Sequence, residues 1–296
     1  MTGWLVIGAG GRLVRELCAP LPADLTIAVT RKGIDLSDPH AVGGALSELR
    51  PSVVANCAAW TDVDGAEGHE SWALEVNGRA SAWLGGGCAR AGARLLHVST
   101  DYVFSGIDAD GRPCDEDAVP DLRTVYGHSK LVGERNVMTA LPGSGIVVRT
   151  AWHYGTNGSS CVSTMAERAM NDTALCVVTD QIGQPIWTGD VAERLLLLDN
   201  SRARPGIHHA TATGSTSSYE LAREIYRLLG RAPGLVSPAA IGDLGCAAVR
   251  PAWSVLGHRR WAREGISPLW EWRSALREVL SAITASLASA SALCAS

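Results

Sequence analysis

Trp4-Leu5-Val6-Ile7-Gly8-Ala9-Gly10-Gly11-Arg12-Leu13-Val14 is the stretch on which the reading of the fold turns. Four apolar residues read as a buried strand, and glycines follow at once, opening a helical pattern. In that context glycines let backbone amides approach a pyrophosphate at the start of a helix. The spacing fits GxxGxx(G), with Gly8 and Gly11 in place and Val14 where a third glycine usually sits. Gly8, Gly10, Gly11, Arg12 and Leu13 are therefore candidate cofactor contacts, although a plain strand-to-helix turn would use the same glycines. Val14 is expected to weaken helix-to-strand packing more than phosphate contact.

Outward from this stretch, short apolar β runs at 4–7, 25–29, 53–55, 94–98 and 145–148 alternate with helical patterns at 39–49, 69–91 and 124–140. Such alternation predicts α/β architecture: a Rossmann-type doubly wound parallel sheet with helices on both faces. In the 69–91 pattern, Trp72, Val76, Ala80, Trp83 and Leu84 recur at three- and four-residue spacing, as a buried face would. After residue 150 the rhythm loosens, with Gly, Ser and Thr clusters at 155–160 and 211–218. A strand at 175–179 and helices at 189–198, 219–229 and 269–283 are expected there, ending in a frayed Ala/Ser tail at 285–296. Residues 1–150 then read as an NAD(P)-binding domain. Residues 151–296 read as a smaller, mixed substrate-binding region, with some segments returning to the first domain.

A chain of 296 residues, 46% hydrophobic, can bury one large core or two modest ones. A net charge of -4 gives no basic field, which argues against nucleic acid or an anionic membrane as partner. Eight cysteines lie far apart, with no CxxC pair or zinc spacing, and read as small core hydrophobes, so no metal site is expected. The first residues lack a signal-peptide pattern, and no run reaches the roughly 18 apolar residues of a membrane span. A reducing, cytoplasmic location is the expectation.

The second strand runs into Thr30-Arg31-Lys32, where dinucleotide folds choose between a ribose hydroxyl and a 2′-phosphate. Two bases there suit NADPH over NADH, with a solvated basic turn as the bland alternative. Asp35-Leu36 follows as a candidate for the adenine edge, and Ala58, Ala59 and Thr61 as small residues over which a cofactor can lie.

Tyr126 and Lys130 stand at i and i+4, so on a helix both point to one face. A nearby ammonium is expected to lower the phenol's pKa and make it a usable proton donor to a carbonyl. YxxxK alone is a weak signal. It gains weight from Ser99-Thr100-Asp101-Tyr102-Val103-Phe104 at the end of the fourth strand, where open parallel sheets bind ligands. Thr100 can donate to the same substrate oxygen, whereas Asp101 is either catalytic or a cap on the strand end. Asn77 reads as a tie to a neighbouring loop, and His208-His209 as core-packing or surface residues rather than ligands.

With these motifs in order, the chain resembles the extended short-chain dehydrogenase/reductases and, within them, the dTDP-4-dehydrorhamnose reductase family. The resemblance also covers Asp35-Leu-Ser-Asp38, Asn56 to Thr61 with Val63-Asp64 and Ala66-Glu67, and Arg149-Thr-Ala-Trp152. It continues through Thr179-Asp-Gln181, Gly183-Gln-Pro185, Gly206-Ile-His208 and Arg250-Pro251. It implies NADPH-dependent reduction, with NADH as the alternative, of the C4 keto group of a dTDP-linked 4-keto-6-deoxysugar in deoxysugar or antibiotic-sugar biosynthesis. Thr100, Tyr126 and Lys130 would be the catalytic trio, Lys130 also holding the nicotinamide ribose. Asp101, Tyr102, Trp152, Gln184 and Arg250 would meet the substrate, Arg250 either at its diphosphate or as an ion pair fixing the C-terminal lobe. Trp60 and Ile186-Trp187 depart from the family pattern; as bulky changes beside a sugar pocket they would imply a variant substrate. Two other readings stay open: a sugar-nucleotide epimerase or dehydratase, disfavoured because no Glu follows Asp101, and a non-catalytic NADP-binding regulatory subunit. A homodimer is also left open. High Ala, Gly and Arg content with one Phe and two Lys fits a GC-rich, actinomycete-type source.

Overall fold

Along the first strand, Leu5 and Ile7 pack into one core and Trp4 and Val6 into another, because successive side chains of a strand point to opposite faces. That alternation, with all four residues buried, requires helices on both sides. The computed structural model describes residues 3–107, 110–201 and 203–294. Its first half holds β1 (Trp4–Ile7), α1 (Arg12–Cys18), β2 (Thr26–Val29), α2 (Pro39–Leu49), β3 (Val53–Asn56), α3 (Val63–Gly68) and α4 (Glu70–Ala73). A π-helical segment (Leu74–Arg79) leads into α5 (Ala80–Ala91), followed by β4 (Arg94–Thr100), α6 (Val125–Ala140) and β5 (Gly145–Thr150). The second half holds β6 (His153–Tyr154), α7 (Cys161–Met170), β7 (Leu175–Val178), β8 (Ile182–Gly183), β9 (Ile186–Trp187) and α8 (Thr188–Asn200). It continues with β10 (Gly206–His209), β11 (Thr216–Ser217), α9 (Ser218–Leu228), β12 (Val236–Ala239), α10 (Arg259–Arg263) and α11 (Trp272–Cys294).

Six strands form one parallel sheet in the order β2-β1-β3-β4-β5-β10. The order reverses at β1, which lies between β2 and β3, and ligands bind at such a switch point beyond the strands' C-terminal ends. Helices α2, α5 and α6 cover one face through Val42, Leu46, Leu84, Cys88 and Val137. On the other face α1, α7, α8, α9 and α11 contribute Leu17, Met165, Leu195, Ile225 and Leu276. Asp38 caps α2 by accepting from the His40 amide (2.8 Å), and Thr124 caps α6 by accepting from Gly127 (2.9 Å).

The expected helix at 69–91 is not one regular α-helix. It restarts at α4 and passes through the π segment, so the expected stripe holds at Ala80 and Leu84, which are buried in the core, and fails at Trp72. Trp72 is 49% exposed as a result, and Ala73, Asn77, Gly78 and Ser81 are buried instead. Small residues are needed here: a Cβ on Gly78 would lie 3.0 Å from Val132 of α6. Trp270 is likewise exposed, and Cys161 and Cys176 are exposed rather than core residues.

In the second half, α7 is an addition to the expected elements: a capping box between Ser160 and Ser163 starts it, and Val162, Met165, Ala166 and Ala169 form its buried face. Strand β10 returns to the main sheet beside β5, and α8 packs on α1. His208 and His209 are both fully buried and bonded to carbonyls, of Arg204 (3.0 Å) and Gly257 (2.8 Å), as packing residues. The tail expected to fray is helical through Cys294; Met1 of the first apolar run, and residues 295 and 296, lie outside the described residues. Among the described residues, no helix is long and apolar enough to cross a membrane.

Candidate active site

The glycine turn closes by a bond from the Gly11 amide to the Gly8 carbonyl (2.8 Å). Gly8 has φ +101°, which an L side chain rarely adopts, and a Cβ there would come 3.0 Å from the Ala58 amide nitrogen. The ends of β1 and β3 thus face each other as bare backbone. At Gly10 nothing lies within 4 Å of a Cβ position, so that residue borders open space. Gly11 leads α1 without a side-chain cap, which leaves the first amides for a ligand. Val14, in place of a third glycine, is 2% exposed in the core beside Leu17 and does not disturb this turn.

A crevice runs from this turn in two directions. One arm, about 220 Å³, is lined by Gly8, Arg31, Asp35, Leu36, Ala58 and Trp60. Asp35 accepts from the amide (2.9 Å) and hydroxyl (2.7 Å) of Ser37, which holds its carboxyl below the usual range and engages it in its own turn. Arg31 is the cation facing this arm, while Lys32 does not line it. Ala59 lines both arms. The other arm, about 520 Å³, begins at Gly10, Gly11, Arg12 and Leu13, passes Thr61, and reaches Thr100, Asp101, Tyr102, Tyr126, Lys130 and Trp152. Arg12 donates to the Ser159 carbonyl and Arg15 to Asn157 Oδ1 (3.2 Å), so segment 155–160 straps across the start of α1. An anion-lined turn would repel a dinucleotide; this one presents backbone amides, Arg12 and Arg31, and its geometry fits one with a 2′-phosphate.

At the catalytic end, Lys130 and Tyr126 share the inner face of α6, with Lys130 2% and Tyr126 9% exposed. Gly127 between them is required, because α6 passes against the Tyr102 carbonyl. Thr100, the last residue of β4, hydrogen-bonds Tyr126 and also donates to Asp101 Oδ1 (3.1 Å). The Lys130 ammonium donates to the Val98 carbonyl (2.7 Å). Burial pushes the Tyr126 phenol up to about 12, the Thr100 bond opposing this and the Asp101 charge adding to it. This corrects the expectation that Lys130 lowers it: burial dominates, and Lys130 is not among the groups that act on the phenol. Burial also pulls Lys130 down to about 8, against Glu134 and Cys57, which raise it. Asp101 is pushed up to about 6 by burial, opposed by the nearby hydroxyls of Ser254 and Thr100. At neutral pH, then, Tyr126 keeps its proton and Lys130 is charged, the states a proton donor and its cationic neighbour need.

Other expected site residues fall elsewhere. Gln184, 2% exposed, donates to the carbonyls of Ala212 (3.0 Å) and Leu256 (3.3 Å) and accepts from the Leu256 amide (2.8 Å). It ties loops together and does not line the crevice, because all its polar capacity is spent on backbone. Arg250 pairs with Asp64 (2.6 Å), joining the C-terminal segment to α3; its Nη1 is buried without a partner. Asp180 accepts from the Ile241 amide (2.9 Å), whereas Gln181 reaches Tyr102. Trp152 lines the crevice with its ring against Gly183, where a Cβ would lie 2.6 Å away. Ile186 is fully buried in the core with Trp187 packed beside it, and Trp60 lines the Arg31 arm, so these bulky residues do not narrow the catalytic arm.

Sequence reading missed Ser254, His153 and Cys57. Ser254 meets Asp101 from more than 150 residues away, a pairing no local pattern announces. His153 bonds Thr150 (2.9 Å), and burial holds it down to about 4, hence neutral. Asn77 does tie a loop: it accepts from the Trp60 amide (2.8 Å) and donates to the Trp60 carbonyl (3.1 Å) and Ser129 (2.9 Å). A separate cleft of about 630 Å³ lies between β10 and α10, with some of its charges paired across it, as in Arg259–Asp117 and Arg260–Glu264.

Comparison with known proteins agrees with this geometry. Residues 2–285 match the family described as RmlD substrate binding domain. The chain is 46% identical over 287 residues to a dTDP-4-dehydrorhamnose reductase of Streptomyces griseus, covering 95% of this chain and 93% of that one. It is 39% identical over 284 residues to a dTDP-4-keto-6-deoxy-D-glucose reductase of Streptomyces niveus, covering 95% and 98%. The crystal structure of a Bacillus anthracis dTDP-4-dehydrorhamnose reductase in complex with NADP superposes with a TM-score of 0.88 at 30% identity, covering 95% of this chain and 99% of that one. A parallel sheet with its switch point at a glycine turn, and a Tyr–Lys helix opposite, thus belong here to a member of the dTDP-4-dehydrorhamnose reductase family of extended short-chain dehydrogenase/reductases.

Proposed function

We propose that this protein reduces the C4 keto group of a dTDP-linked 4-keto-6-deoxysugar with NADPH. The observation that carries this is that Thr100, Tyr126 and Lys130 line the same crevice arm as Gly10 and Gly11 of the glycine turn. Gly8, Gly10, Gly11, Arg12 and Leu13 would hold the pyrophosphate, Arg31 the 2′-phosphate, Asp35 and Leu36 the adenosine end, and Ala58, Ala59 and Thr61 the face of the dinucleotide. When bound, the nicotinamide supplies hydride to the carbonyl carbon. Thr100 donates a hydrogen bond to the ketone oxygen, and Tyr126 gives its proton to the oxygen as negative charge develops there. Lys130 places positive charge beneath both and offers a donor to the ribose. Tyr102 and Trp152 wall the sugar, and the free Nη1 of Arg250 is a donor toward the substrate's diphosphate. Contacts to the distant nucleotide orient the carbonyl.

The same reading assigns residues 1–150 to the cofactor and most of 151–296 to the sugar nucleotide. It places the enzyme in the cytoplasm and takes a homodimer as the assembly to test by light scattering. The activity itself is tested by NADPH consumption with dTDP-4-keto-6-deoxyhexoses and NMR of the products. Reduction at C4 is expected; no turnover with any such ketone, in protein that binds NADPH, would refute it.

A further inference from the structure

Beneath the end of α6 that carries Lys130 lies a buried polar cluster that meets the crevice at Ser99. Glu134 and Arg149 are each 1% exposed. Glu134 Oε1 accepts from Ser99 Oγ (2.5 Å) and Arg149 Nε (2.9 Å), and its Oε2 accepts from Arg149 Nη2 (2.7 Å). The guanidinium also stacks over Phe104, 5.1 Å from the ring centroid. Desolvating two charges costs several kcal/mol each, so a buried pair is weak evidence for a purely stabilising role. What it faces is more informative. Glu134 follows Lys130 by four residues, on the same side of α6.

The titratable groups around Lys130 come from every element packed on it: Glu134 and Tyr126 from its own helix, Cys57 from the end of β3, and His97 from β4. Burial pushes the Cys57 thiol up to about 12 and the Tyr126 phenol equally high, so both are neutral at working pH. His97 is held well below its ordinary value by burial and by Lys130, and is also neutral. The Val98 carbonyl orients the ammonium but carries no net charge. Asp101 lines the same arm as Lys130 but is not among the groups that raise it; of those that are, Glu134, paired on its far side with Arg149, is the carboxylate.

We propose that Glu134, locked in place by Arg149 and Ser99, is a positioning residue that keeps Lys130 an ammonium ion aimed at the crevice. This rests on the assignment of Lys130 to the active site above. Burial alone would discharge Lys130 near neutral pH; Glu134 opposes that, and Arg149 with Ser99 fixes its carboxylate in one orientation.

The chain contains only Lys32 and Lys130, so protein labelled with [13Cε]lysine gives two side-chain resonances whose pH titrations can be followed without cofactor or substrate. In the unaltered protein Lys130 is expected to titrate near 8, and Lys32 serves as the internal reference. Glu134→Gln should lower the Lys130 midpoint by about one pH unit or more, the scale of one adjacent charge, and leave Lys32 unmoved. The alkaline limb of kcat should shift downward by the same amount. Because the single change orphans buried Arg149, the double variant Glu134→Gln/Arg149→Met serves where it does not fold; it should lower the Lys130 midpoint by less, since the opposing positive charge of Arg149 leaves with the carboxylate. A Lys130 midpoint unchanged in either folded variant overturns the proposal, even if activity is lost. So does a midpoint at the ordinary lysine value in the unaltered protein. Failure of the reductase reading would show separately, as absent turnover with the titration intact.

Discussion

On the proposed reading, Gly8–Gly11 offers its ligand backbone, whereas Thr100, Tyr126 and Lys130 offer side chains sunk in the fold. The first end is defined by what is missing, since a Cβ at Gly8 would press on Ala58. The second is defined by burial, and there the ionisable groups move: Asp101 up to about 6, Lys130 down to about 8, Tyr126 up to about 12, each with desolvation as the largest cause. Shape recognises the dinucleotide, while a low dielectric prepares the proton transfer. Substitutions at the two ends should therefore register in different measurements.

The largest effect is expected from Tyr126→Phe, which removes the proton donor and leaves the ring. Turnover should fall roughly 10²-fold or more, the scale of a general acid, with NADPH affinity by fluorescence titration unchanged. Near-normal turnover would erase the distinction between the ends.

Asp101 sharpens it through pH. Its folded pKa of about 6 lies above the unfolded value of about 3.9, so its contribution is full below pH 4 and is lost as pH rises through 6. Asp101→Asn should gain about 3 kcal/mol relative to the parent between pH 4 and pH 7, the free energy of ionising a carboxyl against that rise. Denaturant unfolding of both proteins at the two pH values checks this, and a constant difference would mean that the carboxyl is not desolvated.

At the other end, Arg31→Ala should narrow the preference for NADPH over NADH by about 10-fold or more, as expected when a charge-assisted bond worth roughly 1.5–3 kcal/mol is lost. kcat with saturating NADPH should hold. If the ratio of kcat/KM values for the two cofactors does not move, Arg31 is a solvated residue and the 2′-phosphate is held elsewhere. The smallest effect is that of Gly8→Ala, about 1–2 kcal/mol of stability from the left-handed backbone, seen as a lower Tm together with weaker NADPH binding. An unaltered Tm would show that the turn relaxes around a Cβ.

The cofactor end was the more legible in the sequence, for reasons visible in particular residues. The glycine turn is contiguous, and the strand before it and the helix after it announce themselves by apolar period, so Trp4–Ile7 and Pro39–Leu49 are found with the bounds expected. Tyr126 and Lys130 were readable because helical spacing alone puts them on one face. Gln184 misled because its position in a motif says nothing of which way its amide turns, and here three backbone groups of distant loops claim it. Trp72 misled because the π segment broke the period on which its burial was inferred.

Local order thus belonged to the chain by itself: where strands and helices start, which face of α6 is chemical, and that the second strand ends in bases. The tertiary structure alone decided the rest. It set the ionisation of Tyr126, Lys130 and Asp101, chose the ion pair for Arg250, and brought Ser254 to Asp101 and Arg149 to Glu134. Periodicity and turn chemistry act over a few neighbouring residues, whereas desolvation and long-range pairing depend on what the folded chain packs around a group.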